Sequence, residues 1–259
     1  TKMRFVLAFL ALFALAAQLD AAPSLQLLVI GDDMVVSCVH YGHKCWRQTL
    51  YEKLTADGWA VDYVGSRRDD DGKTTDPDNE GHMGWTSEAI RFGSVHCTNA
   101  DGKGCSLEHW SARYKWNFAL VHLGANDAVQ FEAAELFTRT LEHLGDMVKY
   151  LRSLYRAPVV VSTVLPHKNP DVNEKVEHLN SLIEAILASK AEDDASVIAR
   201  PIEIMDLYNQ IDADSDLIAD NPIGIPTAAG EDKIAEAWYQ AMLPALREMA
   251  PELYSKDEL

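Results

Sequence analysis

Apolar positions in this chain come in two rhythms. Short runs of strand length cover Leu25–Ile30, Ala60–Val64, Phe118–Leu123, Pro158–Thr163 and Val197–Ile202. Longer stretches with apolar residues at helical spacing cover Trp46–Asp57, Glu132–Tyr155, Asn173–Lys190 and Ala228–Met249. In the second of these, Leu136, Leu141, Leu144, Val148 and Leu151 fall on one face of a helix. Strands that alternate with helices predict a parallel sheet covered on both faces. Ligands bind such sheets beyond the C-terminal ends of the strands. The residues to read are therefore Gly31-Asp32-Asp33 after the first strand, and Val64-Gly65-Ser66 with Glu80-Gly81-His82-Met83-Gly84-Trp85 beyond the second. Gly124-Ala125-Asn126-Asp127 follows the third, and Ile225-Pro226-Thr227-Ala228-Ala229-Gly230 precedes the last helix.

The two ends carry a different pattern. Lys2 and Arg4 precede an apolar run from Phe5 to Ala17, followed by small residues. This is the pattern of a cleavable secretory signal peptide, expected over residues 1–22. The run is shorter than the ~20 residues that span a bilayer. The last four residues, Lys256-Asp257-Glu258-Leu259, match an ER-retention address read by the KDEL receptor. One domain is expected over 23–255, lumenal and without membrane insertion. The formal charge of −17 disfavours nucleic acid and anionic lipid as partners.

In an oxidising compartment the four cysteines are expected to form two disulfides. Cys38–Cys45 and Cys97–Cys105 are the pairs closest in sequence, although three connectivities are open. There is no Cys-x-x-Cys and no Asn-x-Ser/Thr sequon.

Together the four strand-end segments resemble the SGNH (GDSL-type) hydrolase superfamily, most closely its carbohydrate-esterase branches. The resemblance runs from about Leu25 to Leu246. It implies a three-layer flavodoxin-like fold with a five-stranded parallel sheet, and no cofactor or metal. In that family the first block carries a serine nucleophile. Its histidine and an aspartate lie in Asp-x-x-His-Pro before the last helix. The oxyanion hole combines the serine N–H, a second-block glycine and a third-block asparagine. Here Gly65 and Asn126 match, but the nucleophile position is Asp33, the acid position Pro222 and the base position Ile225. A shifted alignment offers Asp220 as the acid and no base, because no histidine follows His178.

These replacements remove the chemistry. A serine becomes nucleophilic only when an oriented base takes its proton. Attack of a carboxylate on an ester would give a mixed anhydride. An ionised Asp33 about 4 Å from a developing oxyanion opposes it by roughly 4 kcal/mol at an effective dielectric near 20. That is on the order of a thousandfold in rate.

Other constellations are weaker. Ser37 or Ser66 would need one of His40, His43, His82 or His122, and these read more simply as pocket-shaping or structural residues. Asp32, His82, Trp85 and Asp127 are candidate pocket lining. Asp32 and Asp33 could form a carboxylate pair. Asp212-x-Asp214-x-Asp216 starts like a calcium loop but lacks its glycine and closing glutamate, and so reads as a turn. Asp69-Asp70-Asp71 reads as a surface loop. Trp59, Trp85, Trp110 and Trp116 could stack on sugars, although packing is the commoner fate. Three functions stay open: a pseudoenzyme that binds a glycan or a lumenal protein client, a working esterase with relocated groups, and a structural partner in a lumenal complex.

Overall fold

The computed structural model describes residues 22–36, 44–69, 72, 74–93, 105–192, 203–218 and 224–254. Its centre is a parallel sheet in the order β2 (Ala60–Val64), β1 (Ser24–Gly31), β5 (Phe118–His122), β6 (Val159–Ser162), β7 (Glu203–Met205). This is the flavodoxin-like order. Two short strands, β3 (Arg67–Arg68) and β4 (Asp78–Gly81), form an antiparallel pair and bring the described sheet to seven strands instead of five. The last described parallel strand is Glu203–Met205. The expected run Val197–Ile202 lies wholly outside the described residues.

Side chains alternate between the faces of a strand. Leu25, Leu27, Val29, Phe118, Leu120 and Val160 therefore share one face. They pack on Trp46, Leu50 and Leu54 of α2 (Trp46–Ala56) and on Ile234, Trp238, Met242 and Leu246 of α8 (Ala228–Met249). Leu28, Ile30, Ala119, Val121, Val159 and Val161 point the other way. They meet Leu144, Met147, Val148 and Leu151 of α6 (Leu141–Tyr155), and Val176, Leu179 and Ile183 of α7 (Pro170–Glu192). The result is three layers and two cores. Each fully buried Leu contributes about 1.5–3 kcal/mol of transfer free energy.

The helices follow local signals. Asn169 caps α7 by accepting the Asp171 N–H at 2.9 Å, with Pro170 in the first turn. Thr227 caps α8 by accepting from Gly230 N–H at 3.2 Å. The helix expected over Glu132–Tyr155 is interrupted, because Leu136–Thr140 makes a π-helical turn ahead of α6.

Which strand lies beside the end of β1 decides where the site can form. β2 pairs with β1 only from Ser24 to Leu28. Beyond that point β4 takes over the same edge, pairing Glu80 with Ile30 and Gly81 with Gly31. The turn after β4, not the end of β2, therefore reaches the C-terminal end of β1.

Cys45 and Cys105 are disulfide-bonded. The expected partners Cys38 and Cys97 lie outside the described residues, as do Ser37, His40, His43, Pro222 and Asp220. No described helix is long and apolar enough to cross a membrane.

Candidate functional site

Chain direction changes sharply after β1. Gly31 ends the strand, Asp32 makes the bend, and α1 (Asp33–Val36) begins at once. A Cβ on Gly31 would lie 2.4 Å from a Val35 methyl and 2.6 Å from the His122 carbonyl, so only glycine permits this reversal. The carbonyls of α1 are then held from α2. The Trp46 indole donates to Met34 O at 2.9 Å, and Arg47 Nε donates to Val35 O at 2.9 Å. Arg47 is fully buried and ion-paired with Asp69.

This fixed backbone presents Asp33, which is 9% exposed. Its Oδ2 accepts from the Gly84 N–H at 2.8 Å and from Asn126 Nδ2 at 2.7 Å. Gly84 lies at φ 74° in the turn after β4, a conformation that favours glycine. Asn126 lies in the first turn of α5 (Ala125–Gln130). Gln130 Nε2 donates to Gly84 O at 3.2 Å and ties α5 to the same turn. Asp33 and Asn126 thus meet as the sequence suggests. Gly65 does not join them. It packs against β4, where an added Cβ would lie 2.0 Å from Asn79 O, because β2 stops short of the end of β1. Gly84 is the glycine whose amide reaches the site.

His82 is buried and structural. Its ring stacks between Trp85 and Trp110 at 4.3 Å from each, and its Nε2 contacts Glu80 Oε1 at 2.6 Å. The same glutamate accepts from Ser66 N–H at 2.6 Å and Ser66 Oγ at 2.7 Å. Ser66 and His82 are thus bound to one carboxylate. The function of this network is to set the turn that carries Gly84. Trp85 is half-buried beside it, while Trp59, Trp110 and Trp116 are core residues.

Asp127 lines no pocket. It is fully buried and accepts from Ser87 N–H at 2.9 Å, Ser87 Oγ at 2.6 Å and Thr140 Oγ1 at 2.8 Å. The π-helical turn delivers Thr140 to it, so Asp127 joins three elements behind Asn126. Asp69 is likewise corrected from surface to interior: it is 5% exposed and also accepts from Asn79 Nδ2 at 3.1 Å. The aspartates at 212–216 form a turn. Asp212 Oδ1 accepts from Asp214 and Ser215, and Asp216 pairs with Lys233 at 2.6 Å.

Asp32 and Asp33 are neighbours in opposite surroundings. Asp32 is fully buried; Oδ1 accepts a long 3.3 Å bond from Met34 N–H, and Oδ2 has no hydrogen-bond partner among the described residues. Burial, reinforced by the negative charge on Asp33, pushes its carboxyl up to about 8. These surroundings favour the protonated form of Asp32.

Ile225 is 2% exposed, in a strap where its carbonyl accepts the Ile218 N–H at 2.7 Å. An aliphatic side chain there can neither take nor give a proton. One histidine does meet a serine: His122 Nδ1 lies 2.5 Å from Ser162 Oγ across β5 and β6. Ser162 is fully buried, and burial pushes the His122 imidazole down to about 4. Among the described residues no cluster of His, Cys, Asp and Glu is arranged to hold a metal ion. A surface cleft of about 710 Å³ lies along α7 beside Ala133, Lys175 and His178 and includes none of these groups.

Solved structures share this architecture. A family 3 carbohydrate esterase from Clostridium thermocellum superposes with a TM-score of 0.64 at 23% identity, covering 88% of this chain and 99% of that one. The SGNH-hydrolase fold is the fold of this chain. An acetylxylan esterase from Geobacillus stearothermophilus matches at a TM-score of 0.56 and 14% identity, over 85% of this chain and 95% of that one. A putative lipolytic protein of the G-D-S-L family from Desulfitobacterium hafniense gives 0.52 and 14%, over 83% and 98%. No family model matches the sequence, and no curated protein does. At the C-terminal end of β1, the carboxylate of Asp33 occupies both the Gly84 N–H and the Asn126 Nδ2 donor.

Proposed function

We propose that this SGNH-fold protein is a degenerate esterase of the endoplasmic reticulum lumen that binds a glycan or a lumenal protein client without hydrolysing esters. One observation carries the reading: Asp33 Oδ2 takes the hydrogen bonds of Gly84 N–H and Asn126 Nδ2. An oxyanion hole works through donors left free for developing charge. Losing a single such donor costs about 100- to 1000-fold in rate. Here two are engaged by a group that is itself an anion. The base position supports the same reading, because Ile225 is apolar and buried. The lumenal location rests on the N-terminal pattern and the C-terminal tetrapeptide. The glycan class rests on the carbohydrate esterases among the similar structures.

The second reading, hydrolysis by relocated groups, draws on the Ser162–His122 contact. Its weakness is burial, since no ester reaches Ser162 without opening of the sheet end. The two readings separate on purified protein given short-chain p-nitrophenyl esters and acetylated sugars, with and without a fluorophosphonate. The pseudoenzyme reading expects no turnover above buffer and no serine labelling. Turnover abolished by the fluorophosphonate, with the label on Ser162, would establish the second. A ligand-dependent rise in Tm on a glycan panel would support binding and argue against a purely structural role.

A further inference from the structure

We propose that Asp33 is a nucleophile toward saturated carbon, and that its site accepts small apolar alkylating electrophiles of the epoxide class. The two oxygens of this carboxylate are treated differently. Oδ2 is fixed by Gly84 N–H and Asn126 Nδ2. Oδ1 takes no hydrogen bond from a described residue. Asp32 Oδ2 is among the buried side-chain atoms without a partner and Asp33 Oδ1 is not, so Oδ1 reaches solvent. One oxygen is anchored and the other presented, as a carboxylate nucleophile requires.

Toward an acyl carbon this arrangement fails, because the oxyanion formed on the substrate finds the donors taken. Toward an epoxide it does not. Oδ1 forms a bond to a ring carbon, and the ring C–O bond breaks. The ring oxygen leaves with the electron pair and takes a proton from water. The product is a β-hydroxyalkyl ester of Asp33. Oδ2 becomes its carbonyl oxygen and keeps both donors, so no donor has to move during the step. Asp33 is 9% exposed, so Oδ1 meets solvent over only a small area, and a less hydrated carboxylate is a stronger nucleophile. Met83, next to Gly84, and Val129, on the helix of Asn126, are 49% and 45% exposed, so both elements that hold Oδ2 carry an apolar side chain open to solvent.

Release of the ester would need a base to activate water. Among the described residues, His82 is bound to Glu80 and His122 to Ser162, and neither contacts Asp33. Without such a base the ester accumulates, one per chain, and the intact-mass readout tests this. This inference rests on the geometry of Asp33 and is independent of whether the protein binds glycans.

Phenyl glycidyl ether tests it. The full chain is incubated with this epoxide at neutral pH, folded and in urea, and adducts are followed by intact mass and peptide mapping. The expected result is one adduct per chain on Asp33, formed about 100-fold faster than on any other carboxylate, with the advantage lost in urea. Asp33→Asn should abolish it and Asn126→Ala should slow it. Adducts spread over surface Asp and Glu at one common rate, or an unlabelled Asp33 in folded protein, would overturn the proposal. The folded-against-unfolded comparison needs no variant, so a misfolded mutant cannot obscure the outcome.

Discussion

The two sides of this site differ in their chemistry. On the side built by β1, β4 and α5, the polar framework is fully furnished. Asn126 and Gly84 point at one oxygen, Asp127 braces α5 with three bonds, and Glu80 with His82 fixes the turn. On the side built by the strap before α8, Ile225 is a buried aliphatic residue that can neither take nor give a proton. The difference teaches that the hydrogen bonds of the polar side serve the fold whatever the site does, because they hold the C-terminal end of the sheet together.

The comparison breaks first at its buried supports. Arg47→Ala removes the buried guanidinium that pairs with Asp69, and should cost about 3–5 kcal/mol in urea denaturation. It should also loosen α1, whose Val35 carbonyl Arg47 holds. Next, Asp127→Ala removes the acceptor for Ser87 and Thr140 and should cost roughly 2–4 kcal/mol.

Asp32 sharpens the contrast with Asp33 through pH. Its folded value near 8 lies above the ordinary aspartate value of 3.8. The folded state therefore binds a proton that the unfolded chain releases between those values. Stability associated with Asp32 is present below about 3.8 and is lost as pH rises toward about 8. Asp32→Asn should thus stabilise the protein, with a gain that grows with pH across that window in denaturation curves. His122 acts in the opposite sense: its depressed value removes stability as pH falls from 6.5 toward about 4. The smallest effect concerns activity. Asp33→Ser alone should give no measurable ester hydrolysis, because a free hydroxyl without a base remains a poor nucleophile.

Much of this could be read from the chain alone. Four of the five expected strands formed, the fifth lying outside the described residues, and Asp33 at the end of β1 meets Asn126 at the start of α5. Gly65 was the error. Both Gly65 and Gly84 follow strands on the same edge of β1, and only the register, with β2 ending at Leu28 and β4 taking over at Ile30, decides which glycine reaches the site. Gly84 stood in the same motif as His82 and Trp85, so the signal was present but the pairing was not. Asp69 was misread for a related reason. A run of three aspartates looks solvated, and nothing local announces that Arg47, distant in sequence, turns inward to pair with one of them.

The state of the Asn126 side-chain amide tests the central claim most directly. In a proton–nitrogen correlation spectrum, one Nδ2 proton should resonate downfield of ordinary asparagine amides, because it donates to a carboxylate. It should return to the ordinary range in Asp33→Ala while the rest of the spectrum stays folded. An unshifted amide in the native protein, unchanged by that substitution, would mean that the donors are free and that Asp33 does not fill them.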